Sequence, residues 1–192
     1  MTIGIVKEDR LASDARDRMV DSAVRLLATR GLQATSFSEV LDASGAPRGS
    51  IYHHFPGGKD QLVDAALGLT DGRLQALLDR LDGRPAAEVA AAFLGAWRAV
   101  LERSNFRAGC AVVAVTVATD SPDLLAHTAK IFRQWRTRLA ELLTHGGVPE
   151  GEASRLASLL VAASEGAVVV SRAEQSMDPF DEVCETLMAH FS

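Results

Sequence analysis

Cysteine is nearly absent: Cys110 and Cys184 are the two in 192 residues, too few for a disulfide framework. Aromatics make up 5% of the chain, with Tyr52 the single tyrosine. Alanine and leucine fill much of the room, which favours helix over sheet. Long apolar runs are missing too. The longest, Cys110–Ala118, is interrupted by Thr116 and is too short to span a bilayer. Residues 1–10 lack a basic start followed by an apolar block, the pattern of a secretory signal. The expectation is a cytoplasmic protein with no membrane partner. No nucleophile stands near a candidate base, and no glycine-rich loop is laid out to cradle phosphate, so an enzyme is not expected. The pair His53-His54 is the one metal-like feature. Adjacent helical residues point about 100° apart and rarely share one ion, so neither a metal nor a cofactor is expected.

What the chain does have is an apolar fraction of 47%, enough for a substantial core. Charge is unevenly spread. Residues 1–59 carry 8 basic and 7 acidic side chains, and the remainder carries 12 and 18, for a net charge of −5. Bulk attraction to nucleic acid is therefore excluded. Any such contact must come from a local patch in the first third, with the acidic remainder turned away.

Hydrophobic periodicity predicts about nine helices and no persuasive strand pairing, hence an all-α protein. After a mixed lead over 1–12, a helix from Ser13 carries Val20, Ala23, Val24 and Leu27 on one face and stops at Arg30-Gly31. Ser36 and Glu39 form a capping box for a short helix ending at Gly45. Pro47 opens another that runs to about His54. Beyond Lys59 the helices lengthen. Their stripes are Val63 to Leu81, Val89 to Leu101, Leu125 to Leu142, the apolar stretch 149–174, and Val183, Leu187 and Phe191. Cys110–Thr119 is apolar all round, a helix by context and a strand by its valines. The spacing places a domain boundary near 57–59, dividing the chain into 1–59 and 60–192.

Two short helices meeting at a glycine turn are the arrangement of a helix-turn-helix. Gly45 tolerates the left-handed backbone such a turn needs. Phe37, Val40, Ala46, Ile51 and Phe55 can lock the pair. Arg48, Gly49, Ser50, Tyr52 and His53 fall on the outer face of the second helix. An ordinary helical hairpin with exposed charge has the same pattern. At this point the sequence resembles the DNA-binding segment of TetR-type transcriptional regulators. The matching residues are Thr35-Ser36-Phe37, then Gly45-Ala46-Pro47-Arg48-Gly49-Ser50-Ile51-Tyr52-His53-His54-Phe55, then Lys59-Asp60-Gln61-Leu62. The extra glycine in Phe55-Pro56-Gly57-Gly58-Lys59, with Gly109-Cys110, is similar to the LmrA/YxaF-like branch. Leu41 departs from the small residue usual in such helices, and Pro47 from the usual polar one.

The resemblance implies a fold with an N-terminal three-helix helix-turn-helix domain and a larger helical domain for ligand binding and dimerisation. It implies a homodimer on near-palindromic double-stranded operator DNA, released, as a repressor, by a small apolar or aromatic effector. Carried onto this chain, Arg48 and Ser50 become base-edge readers and Gly49 permits close approach. Tyr52, His53, Lys59 and the turn Thr35-Ser36 become phosphate contacts. Phe93, Trp97, Phe106, Thr116, Phe132 and Trp135 are equally core residues or walls of an effector pocket. Glu165, which interrupts Leu156–Val170, binds ligand, pairs across a dimer or faces solvent. Cys110 at a helix start reads as a buried apolar residue or, less simply, as a redox thiol. Small residues at 153, 157, 162, 164 and 166 suit a close helix–helix dimer seam completed by 179–191. A helical small-molecule-binding protein or enzyme without DNA binding remains the alternative, as does a protein–protein module using the Leu156–Val170 face.

Overall fold

Why the chain forms the elements it does is clearest at the termini of its first helices, where side chains and turns stop each one. The computed structural model describes the backbone of residues 3–191 and the side chains of 14–191; residues 1, 2 and 192 lie outside the described residues. Among the described residues there are nine α-helices, a closing 3-10 turn and no strand. They are α1 (Ile3–Arg30), α2 (Phe37–Ser44), α3 (Ser50–His54), α4 (Lys59–Asp79), α5 (Ala86–Ser104), α6 (Ala111–Thr116), α7 (Pro122–His145), α8 (Glu150–Glu174) and α9 (Asp178–Met188). The lead expected over 1–12 is helical from Ile3 onward.

α2 begins where Ser36 Oγ accepts the Glu39 backbone N–H at 3.2 Å. This satisfies one of the donors that a helix start leaves open. It ends at Gly45, whose φ of 65° is the left-handed conformation that glycine adopts without penalty. α3 is shorter than the spacing predicts. Pro47 and Arg48 precede the helix in a turn closed by Ser50 N–H on Pro47 O at 3.0 Å, and α-helical bonding starts at Ser50. The proline therefore sets up the turn rather than occupying the first helical turn.

Val40, Ile51 and Phe55 are buried against Met19, Ala23 and Leu27 of α1, which closes a three-helix unit. α4 packs its N-terminal half, Leu62, Val63, Ala66 and Leu67, into the same core. It then continues into the larger bundle of α5–α9. The stripe of α7 is Leu124, Thr128, Ile131, Trp135, Leu139, Leu142 and Leu143. Leu125, expected inside, is 48% exposed. Three-and-four spacing admits either leucine, and the packing of α4 and α6 against α7 selects Leu124. Segment 110–119 resolves as a short helix, because Cys110 Sγ accepts the Val113 N–H as its cap. The small residues of α8 divide between two faces. Ala153, Ala157 and Ser164 are buried in the chain's own core, whereas Ala162 and Gly166 are exposed beside Leu159, Val169 and Val170. Taken whole, α8 is long and apolar enough to cross a bilayer, which a search for unbroken apolar runs does not detect. Its inner face, including Leu156, Leu160, Val161 and Val168, is core.

α4 and α7 run parallel, their residue numbers rising together along a polar ladder. His127 Nδ1 meets Asp64 at 2.6 Å, Trp135 Nε1 donates to Asp71 at 2.8 Å, Arg138 pairs with Asp79 at 3.2 Å, and His145 stands 3.4 Å from Asp82. The helix that carries the N-terminal unit is thus bonded along its length to the centre of the larger bundle.

Candidate DNA-binding interface

The face presented by α3 is built from its core side outward. Ile51 and Phe55 point inward and are buried, so the residues between them, Tyr52 and His53, are forced outward. Tyr52 is 68% exposed, and its ring is held edge-on by Phe37 of α2 with centroids 5.5 Å apart. An exposed aromatic normally moves freely, and this one has a fixed platform. Arg48 and Gly49 are exposed in the turn before it.

The arginines around it differ in what they have left to offer. Arg18 pairs with Asp14, Arg25 with Asp21, and Arg30 with Glu39, while Arg16 lies over the Phe55 ring at 5.6 Å. Among the described residues Arg48 has neither an ion pair nor a ring contact, so its guanidinium keeps all its donors. Ser50 Oγ donates to Pro47 O at 2.6 Å, which leaves the hydroxyl oxygen as an acceptor. Ser36 is exposed, and its oxygen already takes the Glu39 N–H.

Of the expected phosphate contacts, Thr35 is taken up by structure, and Lys59 commits one of its three N–H donors to it. Thr35 is 1% exposed and its hydroxyl donates to Gly31 O at 2.9 Å, so it is not available to a phosphate. Lys59 Nζ donates to Leu32 O at 2.7 Å and is half-buried. Both satisfy carbonyls left open where α1 ends, and the ammonium also ties the start of α4 to that turn. His54 is half-buried. Burial, then His53, then Arg16 lower its pKa, so it stays neutral in the small core.

In the larger bundle the expected pocket residues separate by surroundings. Phe93 and Trp135 are enclosed in core, and the Trp135 indole already has Asp71. Phe132 is half-buried and edge-on to Trp135 at 5.5 Å. Thr116 turns its hydroxyl back onto Val112 O at 2.8 Å, and Phe106 sits half-buried in a loop at φ 59°. Trp97 and Glu165 differ from these. Trp97 Nε1 and Glu165 Oε1 are buried without a hydrogen-bond partner, as is Ser171 Oγ. Burial pushes the Glu165 carboxyl up to about 7, against a smaller opposing pull from the Cys110 thiol beside it. Cys110 itself is raised by burial and then by Glu165, so it is a protonated, inert thiol rather than a thiolate. An open depression of about 600 Å³ lies elsewhere, between α7 and α8, and is lined by residues including Arg133, Arg136, Glu141 and His145. Its lining is polar, unlike the apolar pocket anticipated. Among the described residues no group of three or more His, Cys, Asp and Glu is placed to hold a metal.

Residues 19–66 match the family model for bacterial regulatory proteins of the tetR family, and residues 86–186 match the transcriptional regulator LmrA/YxaF-like C-terminal domain. The chain belongs to the TetR-type transcriptional regulators and is not an enzyme. Within them it falls in the LmrA/YxaF-like group. It is 37% identical over 175 residues to an uncharacterised HTH-type transcriptional regulator of Mycobacterium tuberculosis, covering 88% of this chain and 89% of the relative. The HTH-type transcriptional repressor KstR2 of Mycolicibacterium smegmatis is 34% identical over 92 residues, 46% of this chain and 44% of that one. The crystal structure of regulatory protein TetR from Rhodobacter sphaeroides has the same fold, with a TM-score of 0.83 over 93% of this chain and 99% of the other at 24% identity.

Proposed function

We propose that this regulator is a cytoplasmic homodimeric repressor that binds a near-palindromic operator when empty and lets go when a small apolar or aromatic molecule enters the bundle. Division of labour follows the boundary near Lys59, with 1–59 reading DNA and 60–192 dimerising and binding the effector. The observation that carries the reading is the α3 face: an unpaired Arg48 beside a braced, exposed Tyr52. Arg48 and Ser50 read base edges, the one as a forked donor and the other as an acceptor. Gly49 lets the backbone close in, and Ser36, Tyr52 and His53 hold phosphates.

The outward stripe of α8, Leu159, Ala162, Gly166, Val169 and Val170, supports a two-fold seam with α9 alongside. Small residues there let the twin helices approach closely. Such a dimer sets two α3 helices about 34–36 Å apart, one turn of duplex. For the effector, the open donor of Trp97 and open acceptor of Glu165 are the polar handles that remain among aromatic walls. Release requires the effector to favour the non-binding state by about 1–3 kcal/mol.

Selection of bound sequences from a random duplex pool tests the whole reading, since failure to enrich any site overturns it. With the enriched site in hand, Tyr52→Ala lowers affinity in a mobility-shift assay while the dimer stays folded. An unchanged shift removes Tyr52 from the interface. Arg48→Ala loses about 1–3 kcal/mol of discrimination at the guanine it contacts. An unaltered selection profile assigns base reading elsewhere.

A further inference from the structure

A helix leaves its last carbonyls without partners inside the helix. At the end of α1 those carbonyls are met from far along the chain. Ala28 O accepts the Gly109 N–H at 2.8 Å and Arg172 Nη1 at 3.4 Å, and Thr29 O accepts Arg172 Nη2 at 3.4 Å. Gly109 leads into α6, and Arg172 lies in the last turn of α8. A side chain on Gly109 would stand 3.1 Å from Arg172 Nη1 and 3.7 Å from Val168 Cγ1, so the three are in close contact. Glu165, Val168 and Arg172 share one face of α8 at three- and four-residue spacing. That face holds the Gly109-Cys110 corner, with Glu165 against Cys110 and Arg172 against Gly109. On the other side of α6, Gln33 Nε2 donates to Ala118 O at 3.3 Å.

From this we infer that Arg172 is a positioning residue for DNA reading: by capping α1 from α8, it fixes the angle at which each helix-turn-helix leaves the bundle. Its guanidinium is a rigid fork that reaches two carbonyls at once. Without it, α1 keeps the Gly109 bond at its end, Gln33 just beyond it on Ala118 O, and the Arg73–Asp21 pair and apolar contact with α4, about which it can pivot. The inference rests on the DNA-binding reading for its consequence, and on the contacts alone for its geometry.

The test measures geometry without DNA. Spin labels are attached at Asp42→Cys on α2 and Glu182→Cys on α9, both exposed, with Cys184→Ser to leave buried Cys110 as the only other thiol. Labelled chains are mixed with excess unlabelled protein so that each pair reports one intrachain distance. The parent gives a single narrow distribution. Arg172→Met, which keeps the stem and loses the fork, broadens it and weakens binding to the selected operator at least tenfold. Arg172→Lys, which offers one ammonium in place of the fork, restores only part of both. Should Arg172→Met fold poorly, Gly109→Ala displaces the guanidinium directly and broadens the distribution less. Narrow distributions in all variants overturn the inference. A parent that is narrow but binds no operator overturns the repressor reading instead and leaves the geometric result standing.

Discussion

Glu165→Gln raises the stability of the chain at pH 8 and leaves it almost unchanged near pH 4. In the folded chain this carboxyl keeps its proton up to about pH 7, whereas the ordinary value is 4.5. Between those values the folded state binds the more protons, so stability falls as pH climbs from about 4.5 to about 7 and stays low above that. At 1.36 kcal/mol per pH unit of displacement, the ionised side chain costs up to about 3 kcal/mol above neutrality. Glutamine has nearly the same shape and no charge to desolvate. For a chain of this size the gain amounts to an increase in melting temperature of roughly 5–10 °C at pH 8. Guanidinium unfolding at pH 4, 6 and 8, at one protein concentration, checks it. A difference that does not vary with pH shows that the carboxyl is already ionised and wet in the folded state.

Trp135→Ala lowers stability by about 3–5 kcal/mol, the range for removing a large aromatic from a core. The ring is 1% exposed, packed edge-on with Phe132, and it donates to Asp71 of α4. Truncation therefore removes packing in the bundle and a rung of the α4–α7 ladder together. Trp135→Phe separates the two, because it keeps most of the volume and loses the N–H. It costs about 1–2 kcal/mol, since half-exposed Asp71 still has Gln75 and water. Urea unfolding of the three proteins at matched concentration gives the comparison. A loss below about 1 kcal/mol for Trp135→Ala would show that the ring lines a cavity instead of filling one.

How far the sequence speaks for itself depends on how local each cause is. Ser36 with Glu39 and the glycine at 45 act within a few residues, and the helix-turn-helix follows them closely. Pro47 misled by two or three positions, because a proline suits a preceding turn as well as a first helical turn. Leu124 and Leu125 are interchangeable by periodicity and are separated only by their neighbours. Thr35 and Lys59 look like phosphate ligands because they are polar and flank the motif. Their partners within the chain, Gly31 O and Leu32 O, follow from asking which donors satisfy the end of α1. The α4–α7 ladder had a visible signal, with Asp64, Asp71 and Asp79 repeating every seven or eight residues opposite His127, Trp135 and Arg138. Arg172 had none, as its partners lie 143 and 144 positions away.

The carbonyls of Ala28 and Thr29 belong to the main chain, and every amino acid supplies one. Drift at those two sites leaves the contact of α1 with α8 intact, and an alanine scan across the end of α1 would find no trace of it. Genetic variation reaches that contact from its far side, through the guanidinium at 172 and the space that 109 leaves for it.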